Sequence, residues 1–405
     1  IAMHIAAGRD SAATALAHIV SALAVRLEDD PYVSLEPWVY LAGELATCVE
    51  CVSDQLRVLL FLLINSAKPP QTGEAVGIAA RALLEFVFKN PNSRINPALV
   101  ISNVVATYET AAAESRTLLD RIFEPERAAT HNWEDVPALC REISTLADVD
   151  SDFAVTVYAK TYEGTVKDEV TTNMGGRSQI LSLTSNSRQD YSMALFSLAE
   201  FFPTFLQKHP QAAAQAFVRS IDHYIRREHK PAQSEAISRS INGKTLRLAT
   251  DLSHIWGHDP DKNYGQDGEA LIEKFLQTLA SLPESKAILV AKEIIDCSTW
   301  AITWSRLFLA AIRRNDGLVD LLWPIAADEA WLSNIDTQKD AIDLVAHGYG
   351  KRDTAERLAF ENSLTTFLMT GYNDPKDVGF KGEFTAAVLE NHKNERIRYL
   401  ATDRF

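Results

Sequence analysis

The sequence predicts an all-α fold of stacked antiparallel helix pairs, broken by two irregular insertions. Three observations carry that expectation. Apolar residues recur at spacings of three and four over most of the chain, the period of a helix with one buried face. Prolines stand where such helices open, as in Asn96-Pro97 and His209-Pro210. Pro97, Pro137, Pro210, Pro283 and Pro324 fall on a loose grid of about 40 residues or its double, the length of a paired-helix repeat.

In chain order, helices are expected near 11–27, 37–52, 54–66, 73–89, 97–123, 135–147, 151–162, 190–208, 210–227, 269–282, 284–296, 298–314, 317–330, 336–347, 352–370, 380–391 and 394–402. The stripes are explicit in three of them. They are Leu195, Leu198, Phe202 and Phe205; Ala214, Phe217, Ile221, Tyr224 and Ile225; and Ile272, Phe275, Leu276 and Leu279. Burying each large apolar side chain gains about 1.5–3 kcal/mol. Single helices of this length are marginal in water, so they must lean on neighbours. Pro137, Pro210, Pro283 and Pro324 are read with Pro97 as helix openers, and the arrangement suits an α-solenoid of the HEAT or armadillo kind. The organisation that follows is N-terminal helical repeats over 1–163, an irregular loop over 164–189, a helix pair over 190–229, an irregular insertion over 230–268 and C-terminal repeats over 269–405.

Composition narrows the function. Lys and Arg number 40 and Asp and Glu 54, a net charge of −14 at pH 7. So acidic a body repels phosphate backbones, which disfavours nucleic acid and favours a basic or mixed-charge protein partner. The longest unbroken apolar run, Val58–Ile64, falls far short of the roughly 20 residues that span a bilayer, so no membrane partner is expected. Four cysteines are too few for a disulfide scaffold. The opening Ile1-Ala2-Met3-His4 lacks the features of a secretion signal, and the chain stops at Arg404-Phe405 just after a helical pattern. The expectation is a portion of a longer cytoplasmic protein.

Candidate chemistry is sparse. Ser238-Arg239-Ser240-Ile241-Asn242-Gly243-Lys244-Thr245 ends like a phosphate loop, but Ser238 stands where the first glycine is needed. Asn242-Gly243 also reads as a hairpin turn between Ile237, Ile241, Leu246 and Leu248. His254 and His258 lie four apart, a zinc-compatible spacing that lacks further ligands, and Asp259-Pro260-Asp261 begins a calcium loop whose Gly265 and Glu269 are each one place out of register. Cys48 and Cys51 are read as buried thiols on a helix. Arg226-Arg227-Glu228-His229-Lys230 is read as a solvated helix end. Arg177 and Arg188 flank Met174-Gly175-Gly176 and could hold an anion with backbone N–H groups. Trp300, Trp304 and Phe308 share one helix face, either as core or as a groove for a partner helix. The candidate partner-binding residues are therefore Arg177, Arg188, Lys244, Trp300 and Trp304, with no catalytic residue, metal or cofactor assigned.

Val149-Asp150-Ser151-Asp152-Phe153 and Val157-Tyr158, followed by Met174-Gly175-Gly176, Leu183-Thr184-Ser185-Asn186, Gln189-Asp190-Tyr191 and Phe202-Pro203, carry a resemblance. This stretch resembles the helical-repeat part of large bacterial multidomain proteins, among them STAND-type ATPases of phage defence. The resemblance implies an α-solenoid sensor or scaffold and transfers no activity. The function expected is thus a non-catalytic scaffold or sensor region of a larger bacterial protein. Two alternatives stand beside it: an all-helical ligand- or metal-binding enzyme domain with a pocket beneath 230–268, and part of a STAND-type ATPase whose catalytic domain lies elsewhere.

Overall fold

A computed structural model describes residues 10–165, 186–231, 236–257 and 268–361. The chain divides into two compact units, 1–201 and 202–405. Among the described residues both are helical, and the one sheet is a two-stranded hairpin. No helix described is long and apolar enough to cross a membrane.

The first unit contains α1 (Asp10–Asp29), α2 (Glu36–Leu45), α3 (Val49–Phe61), α4 (Glu74–Lys89), α5 (Pro97–Ala106), α6 (Ala112–Asp120), α7 (Pro125–Arg141), α8 (Ile143–Val149), α9 (Ser151–Glu163) and most of α10 (Asn186–Lys208). The starts obey cap chemistry. Asn96 Oδ1 accepts from the Ala98 N–H at 2.9 Å while Pro97 takes the first helical position, where its missing N–H costs nothing. Asp150 caps α9 through the Phe153 N–H at 2.8 Å and accepts from Tyr108 Oη at 2.6 Å, so one carboxylate ties α9 to the 3-10 turn that follows α5. Packing runs between consecutive helices and between next-but-one helices: α1 on α3, α2 on α4, α3 on α5, α4 on α6, α5 on α7 and α7 on α9.

The second unit contains the end of α10, then α11 (Pro210–Tyr224), β1 (Ile237–Ile241), β2 (Lys244–Leu248), the single turn α12 (Ser253–Trp256), α13 (Gly268–Ser281), α14 (Glu284–Cys297), α15 (Ala301–Arg314), α16 (Gly317–Ala326), α17 (Glu329–Ser333) and α18 (Gln338–Tyr349). The same next-but-one pattern joins its long helices: α11 on α14, α13 on α15, α14 on α16 and α15 on α18. The three stripes read from sequence are buried throughout, and Phe217 stacks on Phe275 with ring centroids 4.0 Å apart.

Several expectations need correction. Pro137 and Pro324 lie inside α7 and α16, so they open nothing; Pro125 takes the first position of α7 instead. Of the proline grid, Pro97 and Pro210 hold first-turn positions and Pro283 caps α14. The single helix expected over 97–123 is two helices with short 3-10 turns between and after them. It stops at Thr107, whose hydroxyl bonds back to the Asn103 carbonyl at 2.9 Å, the competition with backbone that makes threonine a poor helix interior. Similarly, 317–330 is interrupted where Asp328 caps α17 through the Ala330 N–H. Cys48 is buried as expected, but Cys51 is exposed. The segment 230–268, read as an irregular insertion with a hairpin turn at Asn242-Gly243, holds an antiparallel hairpin pairing Ile237 with Leu248 and Ile241 with Lys244. The helices expected at 380–391 and 394–402 lie outside the described residues.

Candidate functional site

The densest polar construction in the second unit surrounds the hairpin and the strap that follows it, 249–257. The hairpin forms because Asn242 and Gly243 both adopt positive φ, at 51° and 77°, as a two-residue turn requires. Lys244 therefore begins a strand, with an antiparallel strand before it and no helix after it. That geometry replaces the phosphate-loop expectation. Leu246 and Leu248 bury one hairpin face. Arg239, on the same face, reaches Asp328 at 3.0 Å and Glu329 at 3.2 Å. Lys244 pairs with Asp296 of α14, so its charge is engaged by this chain's own acid. The outer edge of β2 is closed at its far end: the Arg247 carbonyl accepts from Trp304 Nε1 at 3.1 Å, and Ala249 exchanges backbone bonds with Thr299 and Ala301, while Thr245 nearer the turn has no backbone partner among the described residues.

Beyond Ala249 the strap is held by two carboxylates. Asp336, whose side chain is 0% exposed, accepts from the N–H groups of Asp251 (3.0 Å), Leu252 (3.1 Å) and His254 (3.0 Å), and from the His254 imidazole at 2.6 Å. A carboxylate only accepts, so His254 Nδ1 carries the proton and Nε2 is left as a lone pair in the neutral ring. This grip holds Leu252 at a positive φ of 63°, a conformation costly for a side chain of that size. Asp251 accepts from the Ser253 N–H at 3.0 Å and from the Ile302 N–H at 2.7 Å. The second bond makes Asp251 a remote cap for the first turn of α15.

The far end of the strap is aromatic. Trp256 donates its Nε1–H to the Asp251 carbonyl at 2.9 Å and stacks on His229 at 4.0 Å with the rings within 5° of parallel. Tyr224 meets both edge-on. Gly268 completes the cluster, since an added Cβ there would lie 2.3 Å from the Tyr224 ring. Gly268→Ala is accordingly expected to cost about 1–3 kcal/mol through overpacking, read as a lower denaturation midpoint at unchanged m-value.

Two titrations oppose one another here. Burial pushes the Asp251 carboxyl up from 3.8 to about 6, with the neighbouring Asp336 charge adding to it against the bonds from Ser253 and Ile302. The native state thus binds an extra proton between those values, and this group's contribution to stability grows as pH falls from 6 towards 3.8. Burial pushes His229 below its ordinary 6.5, so its contribution is present above that value and is lost on acidification. Asp251→Asn removes the first effect only. Relative to this variant, the wild type should gain about 2–3 kcal/mol in unfolding free energy between pH 7 and pH 4. A constant difference across that range would refute the assignment.

The other residues singled out from sequence fare differently. Trp304 and Phe308 are fully buried and Trp300 nearly so; the stripe packs the core and offers no groove. Trp300 Nε1 donates to Asp222 at 2.8 Å, and Arg226 lies over its ring. In the basic run Arg226 pairs with Asp222, four residues before it, and Arg227 with Glu228. Arg188 is exposed on the first turn of α10, while Arg177, His258 and most of the calcium-like stretch lie outside the described residues. The loop expected over 164–189 ends by Asn186, where α10 begins. Among the described residues no three His, Cys, Asp or Glu side chains converge as a metal site. In the first unit, a groove of 560 Å³ runs over Ile78, Arg81, Glu114 and Arg121, with Arg81 already paired to Glu114 and Thr110.

Sequence reasoning missed Asp251 and Asp336 altogether. Their partners lie about 50 and 80 positions away along the chain, and isolated aspartates resemble ordinary surface acids. No protein-family model, curated protein or solved structure matches this chain.

Proposed function

We propose that the chain is a non-catalytic helical-repeat scaffold or sensor region that binds a protein partner, with its helices stacked as an α-solenoid. The observation behind this reading is the next-but-one packing within each unit: α1, α3, α5, α7 and α9 form one series in the first, and α11, α14 and α16 run against α13, α15 and α18 in the second. Two interleaved rows of helices are what stacked pairs produce when each pair buries its face on the next. Such rows expose surface out of proportion to their core, and proteins use that surface to bind other proteins. The same reading accommodates the sensor region of a STAND-type ATPase, whose catalytic domain would lie outside this chain.

The partner face expected on this reading is the loop read over 164–189, with the 230–268 insertion as a second contact, and the test is deletion of 166–177, which spares Thr165 and its bond from Asn132 Nδ2. Capture of the partner by the immobilised chain, repeated with the purified partner, should be lost while helical content and melting temperature stay near wild type. Undiminished binding would move the contact elsewhere; an inability of the wild-type chain to bind any protein specifically would end the reading.

A second reading, a ligand- or metal-binding enzyme domain, draws on His254. Metal-bound imidazoles commonly give their other N–H to a carboxylate, as His254 does to Asp336. A stoichiometric metal that survives dialysis, and is absent from His254→Ala, would put this reading first.

A further inference from the structure

The hairpin's β2 edge is closed from the Arg247 carbonyl onward, and its β1 edge is open along its length. In a two-residue hairpin the residues flanking the turn exchange bonds, and alternation then directs the backbone groups of Ile237, Arg239 and Ile241 inward to β2. The N–H and C=O groups of Ser238 and Ser240 point outward, and among the described residues they have no partner. Both serines are exposed. Ile237, on this same strand, is 48% exposed although its cross-strand neighbour Leu248 is buried, so an uncovered apolar side chain stands at the open edge. An open edge of this kind is a template for another extended chain.

We propose that the β1 edge binds an extended segment of a protein partner as a third antiparallel or parallel strand, bonded to the backbone of Ser238 and Ser240. The inference rests on the partner-binding reading and names its chemistry. The partner strand carries an apolar side chain over Ile237 and a basic one near the start of α17, where Arg239 leaves Asp328 and Glu329 with a surplus negative charge. A second copy of this chain fits less well. Antiparallel pairing of β1 with itself about its centre places two Arg239 side chains opposite one another, and like charges directly across a ladder are destabilising.

Proline discriminates because it removes one N–H and tolerates an extended neighbour before it. At Ser238 or Ser240 it deletes an outward donor and leaves the inward ladder bonds in place. Phage-displayed short random peptides, selected on the immobilised full chain, serve as the probe. Selected peptides should alternate apolar and basic residues and bind Ser238→Ala and Ser240→Ala like wild type. They should lose about tenfold or more in affinity for Ser238→Pro and Ser240→Pro. Binding should also slow amide exchange at Ser238 and Ser240 of the wild-type chain, a readout that stands even where a proline variant folds poorly. Selection of no binder, equal affinity for the proline variants, or unprotected serine amides overturns the proposal, as does wild-type dimerisation that the prolines abolish. A natural partner that still binds both proline variants overturns the edge and leaves the scaffold reading intact.

Discussion

Asp336→Ala is expected to release the strap and destabilise the second unit by about 3–5 kcal/mol, the range for removing one member of a buried, multiply bonded charged group. The wild-type carboxylate satisfies three backbone N–H groups and one imidazole. Removing it leaves the Asp251 and Leu252 donors without an acceptor and Leu252 in a left-handed conformation with nothing holding it there. Buried donors stranded in this way cost about 1–3 kcal/mol each, partly recovered if water enters. Equilibrium urea unfolding measures the loss. Amide exchange localises it, because releasing the strap unprotects the Asp251, Leu252 and His254 N–H groups that Asp336 holds. Asp336→Asn should be milder, since an amide oxygen still accepts, though its NH₂ must turn away from the imidazole N–H. A wild-type midpoint in Asp336→Ala would show that the strap is not held from this side.

Much of the helical frame was legible because it depends on neighbours in sequence. The stripe Ala214, Phe217, Ile221, Tyr224 and Ile225 needs only the helical period to be recognised as one face, and every member is buried. Asn96-Pro97 needs only adjacent residues to signal a start, and Asn242-Gly243 only a two-residue preference for positive φ. The errors arose where a local signal has two meanings. Proline opens a helix or sits within one, and Pro137 and Pro324 do the latter. A CxxC pair shares a face only on one continuous helix; Cys48 ends a 3-10 turn with non-helical backbone angles and Cys51 lies inside α3, so one thiol faces inward and the other out.

The strap was illegible for a different reason. Asp251 reads locally as one more acid in a polar stretch, yet its carboxylate caps a helix that begins 50 positions later. The sequence pattern begins a helix at Asp336, where an acid is unremarkable; the helix starts at Gln338, and the carboxylate is turned inward instead. Burial decides these roles, and burial depends on how distant helices stack. Trp300 and Trp304 illustrate the same limit from the other side, since a core stripe and a binding groove have one sequence pattern and differ only in what covers it.

Trp304→Ala carries the other large expected effect and tests the stacking directly. The indole is fully buried, packs edge-on against Trp331 at 5.4 Å and donates to the Arg247 carbonyl. Truncation removes that volume and the donor together, for an expected loss of about 3–5 kcal/mol. The pattern of the loss matters more than its size. In a stack with nearest-neighbour coupling, hydrogen exchange should quicken most in α15, in the helices packed directly on it (α13, α16 and α18) and in the hairpin that Trp304 anchors. Helix α11 packs on α13 and α14 and should be affected less. A uniform rise across the whole second unit would instead identify a single cooperative core, and the solenoid reading would then have lost its physical basis. Trp304→Phe separates the two contributions: it keeps most of the packing and removes only the donor, so it should loosen β2 at Arg247 while leaving exchange in α13 and α18 close to wild type.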